Sequence, residues 1–272
     1  MRYVQSLFPI FFVILSAHAG QQPRCHAIAG TERLWAQPGP QFVVVGEMHG
    51  TNETPAIFED LVCSARITQR PIIVGVELRD QDAIDVVMGS GGSGTHEAAI
   101  HDLLSRREWR SSDGRTSRAM LMLLEELRAL KLQGIVAGVV AFSQAQEGDS
   151  DAEREERMAS ALLSAAKRNP NALVIALTGN VHACKKTLAE IGPYPLMASF
   201  LPSAKTVSLF VTDWGGEAWT CDGTGCGPHR FGFAGALNRG ITLSQSASPL
   251  PGFDGVLSTG LKATASSPAI QK

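Results

Sequence analysis

Short apolar runs of strand length alternate with helical patterns along this chain, and this alternation constrains the fold more than any other feature. The runs cover residues 42–45, 72–78, 135–142, 173–177 and 206–211. Most of them are continuously apolar, which is typical of strands buried on both faces. Strands that alternate with helices predict a mainly parallel sheet with right-handed crossovers and helices on its faces. The sequence therefore predicts an α/β fold.

The segments between the runs show the spacing of helices with one apolar face. Such faces are formed within residues 56–65, 120–127 and 158–166. The third segment is preceded by "DAEREER", which carries acidic residues into a first helical turn, where the helix dipole favours negative charge. We expect these helices to connect neighbouring strands of one sheet.

Residues 80 to about 118 interrupt this alternation. The span contains the flexible stretch "MGSGGSGTHE" and, at about 40 residues, is far longer than an ordinary connection between a strand and a helix. We expect an inserted helical subdomain or lid beside the carboxyl edge of the sheet. Residues 20–260 would then form a single α/β domain, and the Ser- and Pro-rich residues 261–272 would be a disordered tail.

The first 19 residues have the organisation of a secretory signal. Arg2 supplies a positive charge, "LFPIFFVIL" is a short apolar core, and Ala17-His18-Ala19 is a small-x-small cleavage site. The apolar core is shorter than the roughly 20 residues of a membrane-spanning helix. The sequence predicts an exported protein, periplasmic or secreted, without a membrane anchor after cleavage.

The cysteines and the charge agree with that location and restrict the partners. In an oxidising compartment we expect Cys221 to pair with Cys226 across "CDGTGC", and Cys25 to pair with Cys63. Cys184 would remain a buried, inert thiol. The net charge of −2 without a basic stripe gives no reason to expect a nucleic-acid partner.

Ionisable residues follow the predicted strands at the point where each strand ends. "FVVVGEMHG" ends in Glu47 and His49, "VGVEL" carries Glu77, and "ALTGNVH" ends in His182. Because ligands of doubly wound sheets bind at the carboxyl ends of the strands, we expect these four side chains to meet. Arg115 is a further candidate, either as a simple turn residue or as a clamp for a carboxylate or phosphate. A nucleophile elbow, a P-loop and a zinc-protease helix are all missing from the sequence.

These motifs resemble one superfamily, which joins ChaN-like haem-binding proteins, TIKI/TraB-type metalloproteases and erythromycin-esterase-like hydrolases. "VVVGEMHGTNE" is similar to its first motif, "GVELR" to its second and "ALTGNVHA" to its third. The Gly-Glu-x-His spacing is nearest to the ChaN type. The resemblance implies that Glu47, His49, Glu77 and His182 are active-site residues. It also implies that Arg157, in "EERMASAL", is a supporting cation.

The leading functional hypothesis is an exported hydrolase that cleaves an ester or amide bond in a small-molecule or peptide substrate. A Zn²⁺, Mn²⁺ or Co²⁺ ion held by His49, His182 and one or both of Glu47 and Glu77 would activate water. A carboxylate that does not hold the metal would be the general base, and Glu47 is the strongest candidate for it. Without a metal, His49 would be the base, oriented by Glu77.

The alternative is a ChaN-like protein that binds haem or another cofactor without turnover. Its axial ligand would be Tyr194, His96 or His101. The mature chain has a single tyrosine and keeps the complete Glu/His set, so the sequence favours catalysis.

Overall fold

The computed structural model describes residues 25–36, 38–89, 94–144, 146–234 and 238–270. The predicted signal segment lies outside the described residues. The strands are β1 (Phe42–Glu47), β2 (Ile72–Val76), β3 (Val136–Ala141), β4 (Leu173–Gly179), β5 (Thr206–Thr212), β6 (Trp214–Asp222), β7 (Gly225–Ala234), β8 (Gly240–Thr242) and β9 (Gly255–Ser258). The helices are α1 (Thr31–Leu34), α2 (Glu53–Ser64), α3 (Gln81–Val87), α4 (His96–Ser105), α5 (Arg118–Leu132), α6 (Asp151–Arg168) and α7 (Asn180–Ala183).

Seven strands form one sheet in the order β3-β2-β4-β1-β5-β9-β8. All neighbouring strands are parallel except β8 and β9, which are antiparallel. Every residue of the three central strands β2, β4 and β1 is buried, as the continuous apolar runs predict. The predicted α/β fold with a mainly parallel sheet is confirmed.

Helices cover both faces of the sheet and create two apolar layers. Consecutive strand residues point to opposite faces, so Val43 of β1 packs in the layer with α2 and α5, and Val44 packs in the layer with α6. The first turn of α6 is fixed by a capping box between Ser150 and Glu153. This cap holds the N-terminus of α6 in place after β3.

The region of the predicted insert contains α3, α4 and two short 3₁₀ turns at Arg107–Arg110 and Gly114–Thr116. It is anchored by buried apolar side chains, among them Trp109 and Leu103. Its role as a lid stays a prediction.

Residues 261–270 differ from the expected disordered tail. Their backbone is held at the carboxyl edge of the sheet, where Ser266 N donates to Gly50 O at 2.8 Å and Ala269 N donates to Thr116 O at 3.0 Å. The side chains of Ala263 and Ser266 are buried. The small side chains of this segment let its backbone approach the loops of Gly50 and Thr116 closely enough to form hydrogen bonds. The composition that indicated disorder therefore permits close packing.

The hairpin formed by β6 and β7 stands outside the main sheet. Cys221 and Cys226 face each other near its turn and form a disulfide, and a second disulfide joins Cys25 to Cys63. Cys184 is free and buried. Both cysteine pairs agree with those expected from the sequence. Among the described residues, no helix is long and apolar enough to cross a membrane.

Candidate active site

The site begins at the end of β1, where a buried strand delivers a carboxylate and an imidazole. Glu47 is the last residue of β1 and is almost fully buried. His49 Nδ1 lies 2.9 Å from Glu47 Oε1, and 23% of the His49 side chain is exposed to solvent. His49 therefore has contact both with the buried carboxylate and with the open side of the site.

Glu77 directly follows β2 and links the ends of three strands. Its Oε2 accepts hydrogen bonds from Thr178 Oγ1 at 2.7 Å and from Gly179 N at 2.8 Å, both in β4. His49 Nε2 lies 3.4 Å from the same oxygen. A Cβ atom added to Gly179 would lie 2.9 Å from His49 Nε2, so only glycine lets the imidazole come this close.

His182, in α7 after β4, completes the group of four. Its Nε2 lies 3.6 Å from Glu77 Oε1, and its Nδ1 lies 2.6 Å from Glu155 Oε1. Glu155 is a buried residue of α6, and its other oxygen accepts the backbone N–H of Met197 at 2.8 Å. The four side chains predicted to meet thus form one continuous chain of contacts, in the order Glu47, His49, Glu77, His182.

The structure corrects the position of the supporting cation. Arg157 does not join the cluster; its Nε is paired with Asp149 Oδ2 at 2.8 Å. Arg154, nearly one turn closer to the N-terminus of α6, occupies that place. Its Nη2 lies 3.5 Å from Glu77 Oε1 and 3.4 Å from His182 Nε2. Because α6 begins near the strand ends, its first turns reach the cluster and later turns move away from it.

A second arginine approaches the cluster from the 3₁₀ turn at Gly114–Thr116. Arg115 Nη1 lies 3.9 Å from Glu77 Oε1, and its Nη2 is paired with Asp113 Oδ2 at 2.7 Å. The sequence offered Arg115 as an anion clamp or a turn residue. It is placed with its guanidinium toward the cluster and is held there by a neighbouring carboxylate.

Arg154 and Glu155 are contacts that the sequence reasoning missed. The signal that could have found them is the helix start, since a helix that follows β3 begins at the carboxyl edge of the sheet and its first turn faces the strand ends. Glu155 is also a carboxylate at a position of α6 that is buried with the apolar face.

Several buried polar atoms of this cluster have no hydrogen-bond partner within the described residues. They are Glu47 Oε2, Glu77 Oε1, Arg154 Nε and Asn180 Oδ1. Buried polar atoms in folded proteins are nearly always bonded, and exceptions mark places where water, an ion or a ligand interacts. Carboxylate oxygens and a guanidinium N–H that lie in one site without hydrogen-bond partners provide acceptors and a donor for a polar group of a ligand.

Burial and neighbouring charges shift the pKa values of Glu47, His49 and Glu77 in different directions. Burial raises the pKa of Glu47 above its usual 4.5, and the opposing effect of His49 is smaller. Burial alone would lower the pKa of His49, but the charge of Glu77 and the bonds to both carboxylates raise it to about 10. Burial would raise the pKa of Glu77, yet His49, His182 and the N–H of Gly179 hold it well below its usual range. At neutral pH the cluster therefore holds an imidazolium against an ionised Glu77.

The side chains do not fit the predicted divalent metal as they are arranged. Within the described parts of the chain, no group of three or more His, Cys, Asp or Glu residues converges as metal ligands do. Both nitrogens of His49 face carboxylates, and two guanidiniums lie against Glu77, where a divalent cation would be repelled. The metal stays a prediction, and we derive no step through it.

Two of the candidate haem ligands, His96 and His101, lie on α4, and the third, Tyr194, lies after α7. His96 Nε2 lies 2.6 Å from Glu125 Oε2, between α4 and α5, and His101 is exposed on α4. Tyr194 is partly buried in the segment after α7. The structure brings none of the three into the contacts that join the four clustered residues. Haem binding stays a prediction without support from this geometry.

A cavity of about 1000 Å³ adjoins the cluster at the carboxyl ends of β2 and β3. Arg115 lines it and also lies 3.9 Å from Glu77 Oε1, whereas the four clustered residues themselves do not line it. Its lining consists of charged, amide and hydroxyl side chains throughout, whereas most small-molecule sites are mainly apolar. Such a cavity suits a hydrophilic ligand.

Comparisons with known proteins agree on the fold and leave the activity open. No protein-family model and no curated protein matches this sequence. The fold is similar to that of a succinoglycan biosynthesis protein, with a TM-score of 0.61 and 9% identity over 87% of this chain and 91% of the other. It is also similar to that of a Bacillus cereus protein, with a TM-score of 0.54 and 12% identity over 88% of this chain and 92% of the other. At these identities the likeness shows a shared fold alone, so the superfamily resemblance remains a prediction.

Proposed function

We propose that this protein is an exported hydrolase that cleaves an ester or amide bond in a hydrophilic substrate, with Glu47 as its general base. The observation that carries the proposal is the chain of contacts from Glu47 through His49 and Glu77 to His182, in which Glu47 Oε2 and Glu77 Oε1 accept no hydrogen bond. Four such groups at the ends of three strands are the arrangement expected of an active site. The two disulfides support export.

The pKa values favour Glu47 over His49 as the base. A histidine whose pKa is about 10 is already protonated at neutral pH and cannot accept another proton. Burial brings the pKa of Glu47 upward from 4.5, toward the pH at which a general base is most effective. His49 instead serves as a fixed cation that donates to Glu47 and Glu77.

The reaction then proceeds by two proton movements. Glu47 Oε2 takes a proton from water, the water oxygen bonds to the substrate carbonyl carbon, and the carbonyl π electrons move to the oxygen. The resulting oxyanion is stabilised by Arg154 and Arg115, whose guanidinium nitrogens lie 3.5 Å and 3.9 Å from Glu77 Oε1. Collapse breaks the bond to the leaving oxygen or nitrogen, which receives the proton from Glu47.

His182 and Glu155 position Arg154 in this scheme. The contact of His182 Nδ1 with Glu155 fixes the imidazole, so its Nε2 stays 3.4 Å from Arg154 Nη2 and 3.6 Å from Glu77 Oε1. Glu155 is in turn held by the N–H of Met197. The superfamily resemblance supports the same assignment of Glu47, His49, Glu77 and His182.

The decisive experiment is Glu47→Gln, which keeps the shape of the side chain but removes its ability to accept a proton at neutral pH. We expect kcat for p-nitrophenyl acetate to fall at least about a hundredfold, and the rate of cleavage of a mixture of hydrophilic peptides to fall by the same factor. Glu156→Gln, an exposed carboxylate on α6, is the matched control and should leave kcat unchanged.

Two outcomes of the Glu47→Gln experiment would contradict the proposal, and a separate metal analysis accompanies it. A Glu47→Gln protein with full activity would refute the proposed base. A loss of about 1 kcal/mol of stability with unchanged kcat would make Glu47 a structural residue only. Elemental analysis of protein purified without chelator tests the metal prediction alongside, and loss of activity in EDTA that Zn²⁺, Mn²⁺ or Co²⁺ restores would contradict the metal-free scheme.

A further inference from the structure

The loop that carries His49 is held from outside the sheet. Gly50 directly follows His49 and has a φ of 82°, in the left-handed region that glycine adopts without strain. Its carbonyl oxygen accepts two backbone hydrogen bonds, from Trp219 N in β6 and from Ser266 N, each at 2.8 Å. The position of the catalytic loop is therefore set by the hairpin as well as by β1.

The loop that carries Arg115 meets the same point. A Cβ atom added to Gly114 would lie 2.4 Å from Gly50 Cα and 2.4 Å from Trp219 O. A Cβ atom added to Gly50 would lie 2.2 Å from Trp219 O. Three backbone segments are thus in direct contact, without any side chain between them. They belong to the loop after β1 that carries His49, the loop that carries Arg115, and β6.

Trp219 binds both loops at once. Its backbone N–H donates to Gly50 O, and its indole Nε1–H donates to Ser112 O at 3.0 Å, in the loop that leads to Arg115. Two residues further along β6, the disulfide of Cys221 and Cys226 closes the hairpin across its two strands. The hairpin is therefore restrained at the end that follows Trp219.

We propose that Trp219 is a positioning residue of the active site, which sets the distance between the His49 loop and the Arg115 loop. Both loops deliver groups to the two oxygens of one carboxylate, with His49 Nε2 at 3.4 Å from Glu77 Oε2 and Arg115 Nη1 at 3.9 Å from Glu77 Oε1. A displacement between the loops changes both distances together. The proposal rests on the proposed function, in which Glu77 and its neighbours form the catalytic centre.

The test compares two tryptophans of the same strand. Trp219→Phe keeps an aromatic ring and removes the N–H that binds Ser112 O. Trp214→Phe makes the same change at a side chain that is 48% exposed at the start of β6. NMR resonances of the His49 imidazole and the Arg115 guanidinium report the geometry without a substrate, and kcat and KM for p-nitrophenyl acetate report its effect on the reaction.

We expect Trp219→Phe to shift both sets of resonances and to lower kcat about tenfold, with KM within about twofold of the parent. Trp214→Phe should leave the resonances and kcat unchanged. Gly114→Ala, which forces the Arg115 loop away from Gly50, should reproduce the effect of Trp219→Phe on the Arg115 resonance.

The proposal is overturned if the His49 and Arg115 resonances stay in place in Trp219→Phe, or if both tryptophan variants shift them equally. Failure of the proposed function is recognised separately. If Glu47→Gln retains full activity, the catalytic scheme is wrong, and the resonances alone decide whether Trp219 sets the position of the two loops.

Discussion

At the scale of single residues, the protonation states make a prediction about the pH dependence of the reaction. In the proposed mechanism, the active form requires an ionised Glu47 and a protonated His49. We expect kcat/KM to rise with pH as Glu47 loses its proton, at a pH above 4.5, and to fall again as pH passes about 10. A rate that continues to rise through pH 10 would contradict the protonated role of His49.

The same shifts determine how the cluster stabilises the fold. The pKa of His49 is raised in the folded state, so its contribution is fully present below about pH 6.5 and is lost as pH rises through about 10. The pKa of Glu77 is lowered, so its contribution is present above pH 4.5 and is lost as pH falls below that value. Near neutral pH both contributions operate together.

Single residues also show how far the sequence could predict the site. Glu47, His49, Glu77 and His182 were predictable because each follows a recognisable strand, and parallel strands end at one edge. Arg154 was missed because the helical period of α6 shows which face is buried but not where the helix lies along the sheet; the helix start after β3 carries that information. Arg157, which the superfamily resemblance implied, lies nearly one turn further along α6 and is paired with Asp149.

At the scale of elements, the edge strand β3 is covered by a side chain. Gln81 of α3 donates from Nε2 to Val139 O at 3.1 Å and accepts the N–H of Ala141 on Oε1 at 2.8 Å. The amide thus imitates a neighbouring strand and occupies backbone groups that would otherwise pair with another chain. No pattern in the sequence indicates this contact, because it depends on where α3 is placed.

Removal of this cover should make the protein associate. We expect Gln81→Ala to lose about 1–2 kcal/mol of stability, since two backbone groups lose their partners, and to form dimers or larger species at high concentration. Analytical ultracentrifugation and thermal unfolding measure the two effects. Gln133→Ala, an exposed glutamine at the end of α5, is the control. A Gln81→Ala protein that matches this control in both measurements would show that the edge is protected by other means.

The hairpin of β6 and β7 marks the limit of prediction for elements. The strands of the main sheet were found from continuous apolar runs, whereas β6 and β7 are rich in glycine and half-exposed. Their pairing depends on backbone bonds and a disulfide more than on buried apolar side chains. Period and hydrophobicity carry little information about such an element.

At the scale of the whole molecule, the C-terminal segment is an integral part of the fold. Deletion of residues 261–272 removes seven backbone hydrogen bonds to the rest of the described chain, among them those to Gly50 O, to Thr116 O and from Arg118 N. We expect a loss of about 7 kcal/mol of stability, at about 1 kcal/mol for each bond. Leu261→Ala, at a side chain that is 55% exposed, keeps the backbone of the segment and should unfold at the parent temperature. Equal unfolding temperatures of the deletion variant and the parent would contradict this expectation.

The same segment determines when, during synthesis, the loop after His49 can take up its position in the folded protein. Asn52 Nδ2 bonds to Thr264 Oγ1 across 212 residues. At roughly 5–20 residues per second, a ribosome takes on the order of ten to forty seconds to add the second partner after the first. During that interval the nascent chain carries Glu47, His49, Glu77 and eventually His182, yet the loop after His49 has no partner on its C-terminal side. We expect a stalled chain that ends before residue 264 to lack the proposed activity, so that the proposed site is completed only when the C-terminal segment has been synthesised.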